Sequence, residues 1–143
     1  MHKNLITTAA ATALAAPILI MGPTAAQAAT GTFEGFPVGV QIQVEGKGLH
    51  VNKIIVMESW QTENPFMDGR YGHTEVFNRI GKKDVTIVNS TNHTVNRWGG
   101  DGRYQVNKPS KNYANGSKIC ARWWNLINGK YSNDGSSCVT IHS

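Results

Sequence analysis

An all-β fold is predicted: a single small antiparallel β-sandwich of immunoglobulin-like size with one disulfide, or, as the alternative, a small β-barrel. Three observations predict it. Apolar residues come in short runs with a period of two, each bounded by Gly, Asn or Pro. No stretch beyond residue 28 carries the 3.6-residue period of an amphipathic helix. The chain of 143 residues is long enough for one hydrophobic core and short for two.

The elements follow in order. Met1-His2-Lys3-Asn4 is a short positive start, Leu5 to Gly22 is apolar and uncharged, and Ala26-Gln27-Ala28 places small residues where a signal peptidase reads. Residues 1–28 therefore read as a secretory signal peptide, cut between Ala28 and Ala29. Pro17 and several Thr interrupt the apolar run, which argues against a membrane anchor, and no later run is long enough to span a membrane. Residues 29–37 read as a mobile N-terminal arm carrying Phe33 and Phe36, or as a first edge strand onto which they tuck. Residues 38–143 are the sandwich domain.

Val38, Val40, Ile42 and Val44 alternate with polar or small residues, as in a half-buried strand. Glu45-Gly46-Lys47-Gly48 turns the chain. In Leu49 to Glu58 the apolar phase changes between Val51 and Ile54, so a bulge near Asn52-Lys53 is expected. Trp60 to His73 reads as a long loop. Thr74 to Ile80 and Asp84 to Asn89 read as strands, with Val76 and Ile80 on one face of the first and Phe77 on the other. Asn89 to Gly102 reads as a second long loop, Arg103 to Val106 as a short strand and Asn107 to Gly116 as a polar connection.

Ser117 to Asn125 and Ser137 to His142 complete the set. Ile119, Ala121 and Trp123 share one phase, and Val139 and Ile141 share the inward phase of the partner. Cys120 and Cys138 lie on the opposite phase and are the only cysteines, so in an oxidising compartment they pair. Such a bridge adds about 3 kcal/mol in the chain-entropy model. Direct pairing centres a hairpin on Gly129, inside the turn signal Asn128-Gly129-Lys130. Asn133-Asp134-Gly135 disturbs that register and calls for a bulge or a second turn. A bridge between two sheets is the alternative.

Function is less legible. There is no G-x-S-x-G, H-E-x-x-H or P-loop, the carboxylates are unpaired in sequence, and the histidines His50, His73, His93 and His142 are dispersed. Gly99-Gly100-Asp101-Gly102 has too few carboxylates for a calcium site. Neither enzyme, metal nor cofactor is expected. The formal net charge of +5, which falls by one with Lys3, is scattered, so no nucleic-acid partner is expected. The aromatics are the better clue. Adjacent residues of a strand face opposite ways, so Trp123 is placed inward and Trp124 outward beside Arg122, a composition common at protein-binding hot spots. Trp124 is also suited to stacking on a sugar, with Trp60 and Trp98 from the two long loops. The candidate binding residues are Phe33, Phe36, Trp60, Trp98, Arg122, Trp124 and His142.

The closing pattern Lys118-Ile119-Cys120-Ala121-Arg122-Trp123-Trp124 with Ser137-Cys138-Val139-Thr140-Ile141-His142, behind such a leader, resembles small secreted proteins of actinobacteria. Among these it is similar to the adaptor subunit of umbrella toxin particles, which links a toxin-bearing subunit to a lectin-type subunit. The resemblance implies a β-sandwich whose mobile N-terminal arm enters its partner, with Phe33 and Phe36 as the anchors. The expected function is thus that of a secreted, non-enzymatic binding protein whose partner is another secreted or cell-surface protein. The alternatives are a module binding glycan or cell wall, and a small protease inhibitor using one of the two long loops.

Overall fold

The computed structural model describes residues 27–33, 38–60, 69–96, 104–133 and 135–143. Among the described residues there are eleven strands: β1 (Gln27–Phe33), β2 (Val38–Lys47), β3 (His50–Trp60), β4 (Arg70–Ile80), β5 (Lys83–Asn89), β6 (His93–Val95), β7 (Tyr104–Asn107), β8 (Lys111–Asn112), β9 (Lys118–Ile127), β10 (Lys130–Ser132) and β11 (Ser137–Thr140). They form two sheets. The first runs β1-β2-β3-β7, with β8 also on β3. The second runs β10-β9-β4-β5, with β11 beside β9 and β6 beside β4. Every pairing is antiparallel. Among the described residues no helix is long and apolar enough to cross a membrane.

The core lies between the sheets. Val40, Ile42 and Val44 of β2 meet Val51, Ile54 and Val56 of β3 on one side and Val76, Ile119, Ala121 and Trp123 on the other, with Val139 and Ile141 closing one end. Each fully buried aliphatic side chain here contributes roughly 1.5–3 kcal/mol. The change of phase in β3 is resolved as expected. Glu45 faces Lys53 and Gly46 faces Val51, so Asn52 is bulged out and Val51 returns to the core. A second irregularity lies opposite Val76/Phe77, where β5 carries Ile87 as the extra residue.

The closing hairpin also follows its sequence signal. Asn128 and Gly129 have φ of 52° and 75°, the left-handed pair that a two-residue turn requires. Cys120 and Cys138 face each other in register and are bonded. Ser132 opposes Asn125 whereas Ser137 opposes Ala121, so the return strand holds one extra residue in between.

Several boundaries differ from the sequence reading. Of the long loop drawn over Trp60–His73, Trp60 closes β3 opposite Val38, and residues 70–73 belong to β4. Of the loop drawn over Asn89–Gly102, residues 93–95 form β6. The polar connection contains β8. Ile80 shares the phase of Val76 but sits at the hairpin end, half exposed, while Phe77 on the opposite face is fully buried. Residues 27–33 are an edge strand, with Ala29 opposite Val44 and Phe33 opposite Val40. The arm reading thus gives way to the strand reading over these residues; Phe36 lies outside the described residues. The expected cleavage point falls within β1 and leaves Ala29–Phe33 paired.

β1 also lies against β11 of the other sheet. A Cβ on Gly31 would sit 2.5 Å from the Cys138 carbonyl oxygen, so only glycine permits this approach.

Candidate functional site

The site is built on the outer face of the second sheet. Along β4 the residues Tyr71, His73, Glu75, Phe77 and Arg79 share that face, because side chains alternate along a strand. Pairing with β9 sets His73 beside Trp124, Glu75 beside Arg122 and Phe77 beside Cys120. Pairing with β5 sets Thr86 beside Phe77 and Asp84 beside Arg79. The hairpin turn returns Tyr131 to a place opposite Leu126.

These positions produce a continuous charge network. Arg79 donates from Nε to Asp84 Oδ1 at 2.7 Å and from an amino group to Oδ2 at 3.0 Å. Arg122 donates to Asp84 Oδ2 at 3.0 Å and from Nε to Glu75 Oε2 at 2.8 Å. Glu75 accepts two further bonds, from the Trp124 indole N–H at 2.8 Å and the Thr86 hydroxyl at 2.6 Å. Both guanidinium groups lie over the Phe77 ring, at 5.1 Å for Arg79 and 4.2 Å for Arg122, and Arg122 also covers Trp124 at 4.8 Å. This cover explains how Phe77 is buried on an outward face.

The electrostatics agree with the contacts. Burial pushes the Glu75 carboxyl up. The hydrogen bonds from Arg122, Thr86 and Trp124, with the Arg122 charge, outweigh it and hold the group below the usual range. Asp84 is lowered by its bond from Arg79 above all, and Arg79 is raised by the same bond.

Beyond the network the face becomes aromatic. His73, Glu75, Asn89, Trp124 and Tyr131 line a shallow pocket of about 270 Å³. The Tyr131 ring meets His73 edge-on at 4.9 Å. The Tyr131 hydroxyl lies 2.9 Å from the Asn92 amide nitrogen, and the amide oxygen accepts from His73 Nδ1 at 3.2 Å. Tyr71 is 50 % exposed and Tyr131 47 % exposed, so the rim presents two open rings around half-buried Trp124 and Leu126.

A second polar cluster lies between the sheets, behind this face. Glu58 of β3 is fully buried. It accepts from the Thr74 hydroxyl and lies 2.6 Å from His93 Nε2. His93 Nδ1 lies 2.8 Å from the Thr91 carbonyl oxygen, and the ring meets Trp123 edge-on at 5.2 Å. The Trp123 indole N–H donates to Asn125 Oδ1. Among the described residues no group of three His, Cys, Asp or Glu side chains is placed to hold a metal ion.

The predicted site residues are thus partly assembled. Trp123 is in the core and Trp124 is on the opposite face, beside Arg122. Arg122 is committed to Glu75 and Asp84 and so supports the face rather than reaching out from it. His142 is exposed but lies beyond β11, which pairs with the start of β9. Six residues of β9, about 20 Å at 3.3 Å per residue, separate that end from Trp124. There His142 lines a different cavity of about 150 Å³ with His50, Val139 and Ile141. The backbones of Phe33 and Trp60 end β1 and β3; their side chains, and Trp98 entirely, lie outside the described residues. Sequence reasoning missed Glu75, Asn89, Asn92 and Tyr131, and also Glu58 with His93. A signal for Glu75 was present: Tyr71, His73, Glu75, Phe77 and Arg79 alternate without a break.

No protein-family model matches this chain, and neither a curated protein nor a solved structure matches it.

Proposed function

We propose that this chain is an exported, non-enzymatic binding protein that engages another secreted or cell-surface protein through the aromatic shelf of Tyr71, His73, Trp124, Leu126 and Tyr131. One observation carries the reading: open rings stand on a face where Glu75, Arg122 and Asn92 are already hydrogen-bonded within the protein. Glu75 holds three donors, Arg122 two carboxylates, and the Asn92 amide is taken by His73 and Tyr131. Such a face offers apolar area at little ordering cost, as a protein-binding hot spot does. Exposed rings grouped on one face are the kind of surface that a partner covers. The leader and the disulfide fit an oxidising, extracellular setting. The resemblance to toxin-particle adaptors makes a subunit of a bacterial antagonism complex the specific form of this reading.

The pocket itself favours a second reading. Asn89 lines it with a side chain that makes no hydrogen bond among the described residues, beside the Glu75 carboxylate and the Trp124 and Tyr131 rings, which is the chemistry of a sugar site.

Isolation of the tagged native protein from culture supernatant, followed by native mass measurement, tests both readings. A stoichiometric complex with another secreted chain, lost in Trp124→Ala and Tyr131→Ala, is expected. A free monomer that is retained on insoluble peptidoglycan or chitin through Trp124 would replace protein binding by glycan binding.

A further inference from the structure

We propose that Asn92 is a positioning residue for the aromatic shelf, and that the buried Glu58–His93 pair is a proton-dependent latch that holds it in place. This rests on the shelf reading only for its consequence in binding; the latch itself is observable without a partner.

The argument begins with the two ring nitrogens of His93. Nδ1 faces the Thr91 carbonyl oxygen at 2.8 Å, and a carbonyl oxygen only accepts, so Nδ1 carries a hydrogen. Nε2 faces Glu58 Oε2 at 2.6 Å. That contact needs one more proton, on the ring or on the carboxyl. The pair therefore holds one proton beyond a neutral imidazole beside an ionised carboxylate. When that proton leaves, two lone pairs face each other at hydrogen-bond distance. Either the Glu58 contact opens, or the ring turns and drops the Thr91 carbonyl. Both outcomes move residues 91–93 against β4.

Asn92 is the middle residue of that segment. Its amide oxygen accepts from His73, and its amide group meets the Tyr131 hydroxyl. Two shelf rings are thus held from a residue whose chain neighbours are pinned by the buried pair. The groups facing His93 are Glu58 from β3, Thr74 from β4 through Glu58, and the Trp123 ring from β9. Those facing Asn92 are His73 from β4 and Tyr131 from β10. The titratable members are Glu58, His73 and Tyr131. The latch is closed at lower pH, when the shared proton is present, and opens as pH rises and the proton is lost.

Nuclear magnetic resonance of the histidine and tyrosine rings, followed against pH in the whole protein, tests this. In the unmodified protein the Tyr131 ring signals should shift in two steps, one following His73 and one following His93. Glu58→Gln supplies an amide that accepts from Thr74 and donates to a neutral His93, so the shelf should keep its low-pH signals and lose the His93 step while the His73 step stays. Asn92→Ala should leave the His93 titration in place and uncouple Tyr131 from it, which keeps the test open if Glu58→Gln does not fold. A Tyr131 response that follows His73 alone in the unmodified protein, or a Tyr131 step following His93 that survives in either variant, would overturn the proposal. A shelf that binds no partner leaves all these signals unchanged, so failure of the binding reading is seen separately, as the absence of a complex.

Discussion

Two carboxylates sit on the two sides of one sheet, and they are neutralised in different ways. Glu75 on the outer face is one of two acids set among two arginines, so its charge is balanced by groups that stay protonated at any ordinary pH. Glu58 between the sheets has a histidine and a threonine, so its balance depends on a proton that can be lost. The clusters are separated by single steps along the chain. Thr74 and Glu75 are neighbours on β4, and Trp123 and Trp124 are neighbours on β9; in each pair one side chain serves the inner cluster and the other the outer. The alternation of a β-strand thereby sets a permanent charge network back to back with a titratable one.

The largest expected effect breaks the inner cluster. Glu58→Ala leaves His93 and Thr74 without their buried acceptor and should cost about 3–5 kcal/mol in urea unfolding. Glu58→Gln should cost much less, because both hydrogen bonds survive. Next comes the outer cluster. Arg122→Met keeps cover over Phe77 but leaves Glu75 with two neutral donors. Because the site is partly solvated, the expected loss is smaller, about 1–2 kcal/mol. Equal losses at Glu58 and Arg122 would remove the distinction between the clusters.

Acid sharpens the comparison further. Glu75 and Asp84 are held below their unfolded values, so the stability they contribute is present above about pH 4 and is lost as pH falls through the folded values. Unfolding free energy measured from pH 6 down to pH 2 should therefore fall below about pH 4. Arg122→Met should make that acid slope shallower, since burial then dominates at Glu75 and its folded value rises. An unchanged slope would show that Glu75 draws its stabilisation from elsewhere. The smallest expected effect is that of Asn92→Ala, below about 1 kcal/mol in stability, yet with weaker partner binding because Tyr131 and His73 lose their shared anchor. A variant that binds as tightly as the parent would place recognition outside the shelf.

The strands were legible because their alternation is local. Val38 to Val44 declares its buried face without any neighbour, and the Asn128-Gly129 turn declares its hairpin. The bulge at Asn52 was readable as a change of phase between Val51 and Ile54. The clusters were not legible, and the reason is physical. Glu75 meets Arg122 across 47 positions, and Glu58 meets His93 across 35. Those contacts exist only once registers between strands are set, and no residue type announces a register. β6 was missed because three residues are too few to show a period, and what holds them is pairing with β4 and the contact of His93 with Glu58 of the other sheet. Trp124 could be placed outward by parity, but that Arg122 would be spent on Glu75 and Asp84 needed the pairing of β4 with β9.

The glycine at position 31 marks a seam between two distant parts of the chain. β1 is among the earliest parts of the domain in the chain and β11 is the last strand, and the two meet where Gly31 passes the Cys138 carbonyl. A seam between the beginning and the end of a chain has the largest loop to close, and such contacts come late and slowly in folding. The sandwich can seal only after residue 138 is available, so a growing chain has an unsealed edge until then. A side chain at Gly31 would meet the Cys138 carbonyl at that seam, so a substitution there should weaken closure more than it weakens the other strand pairings.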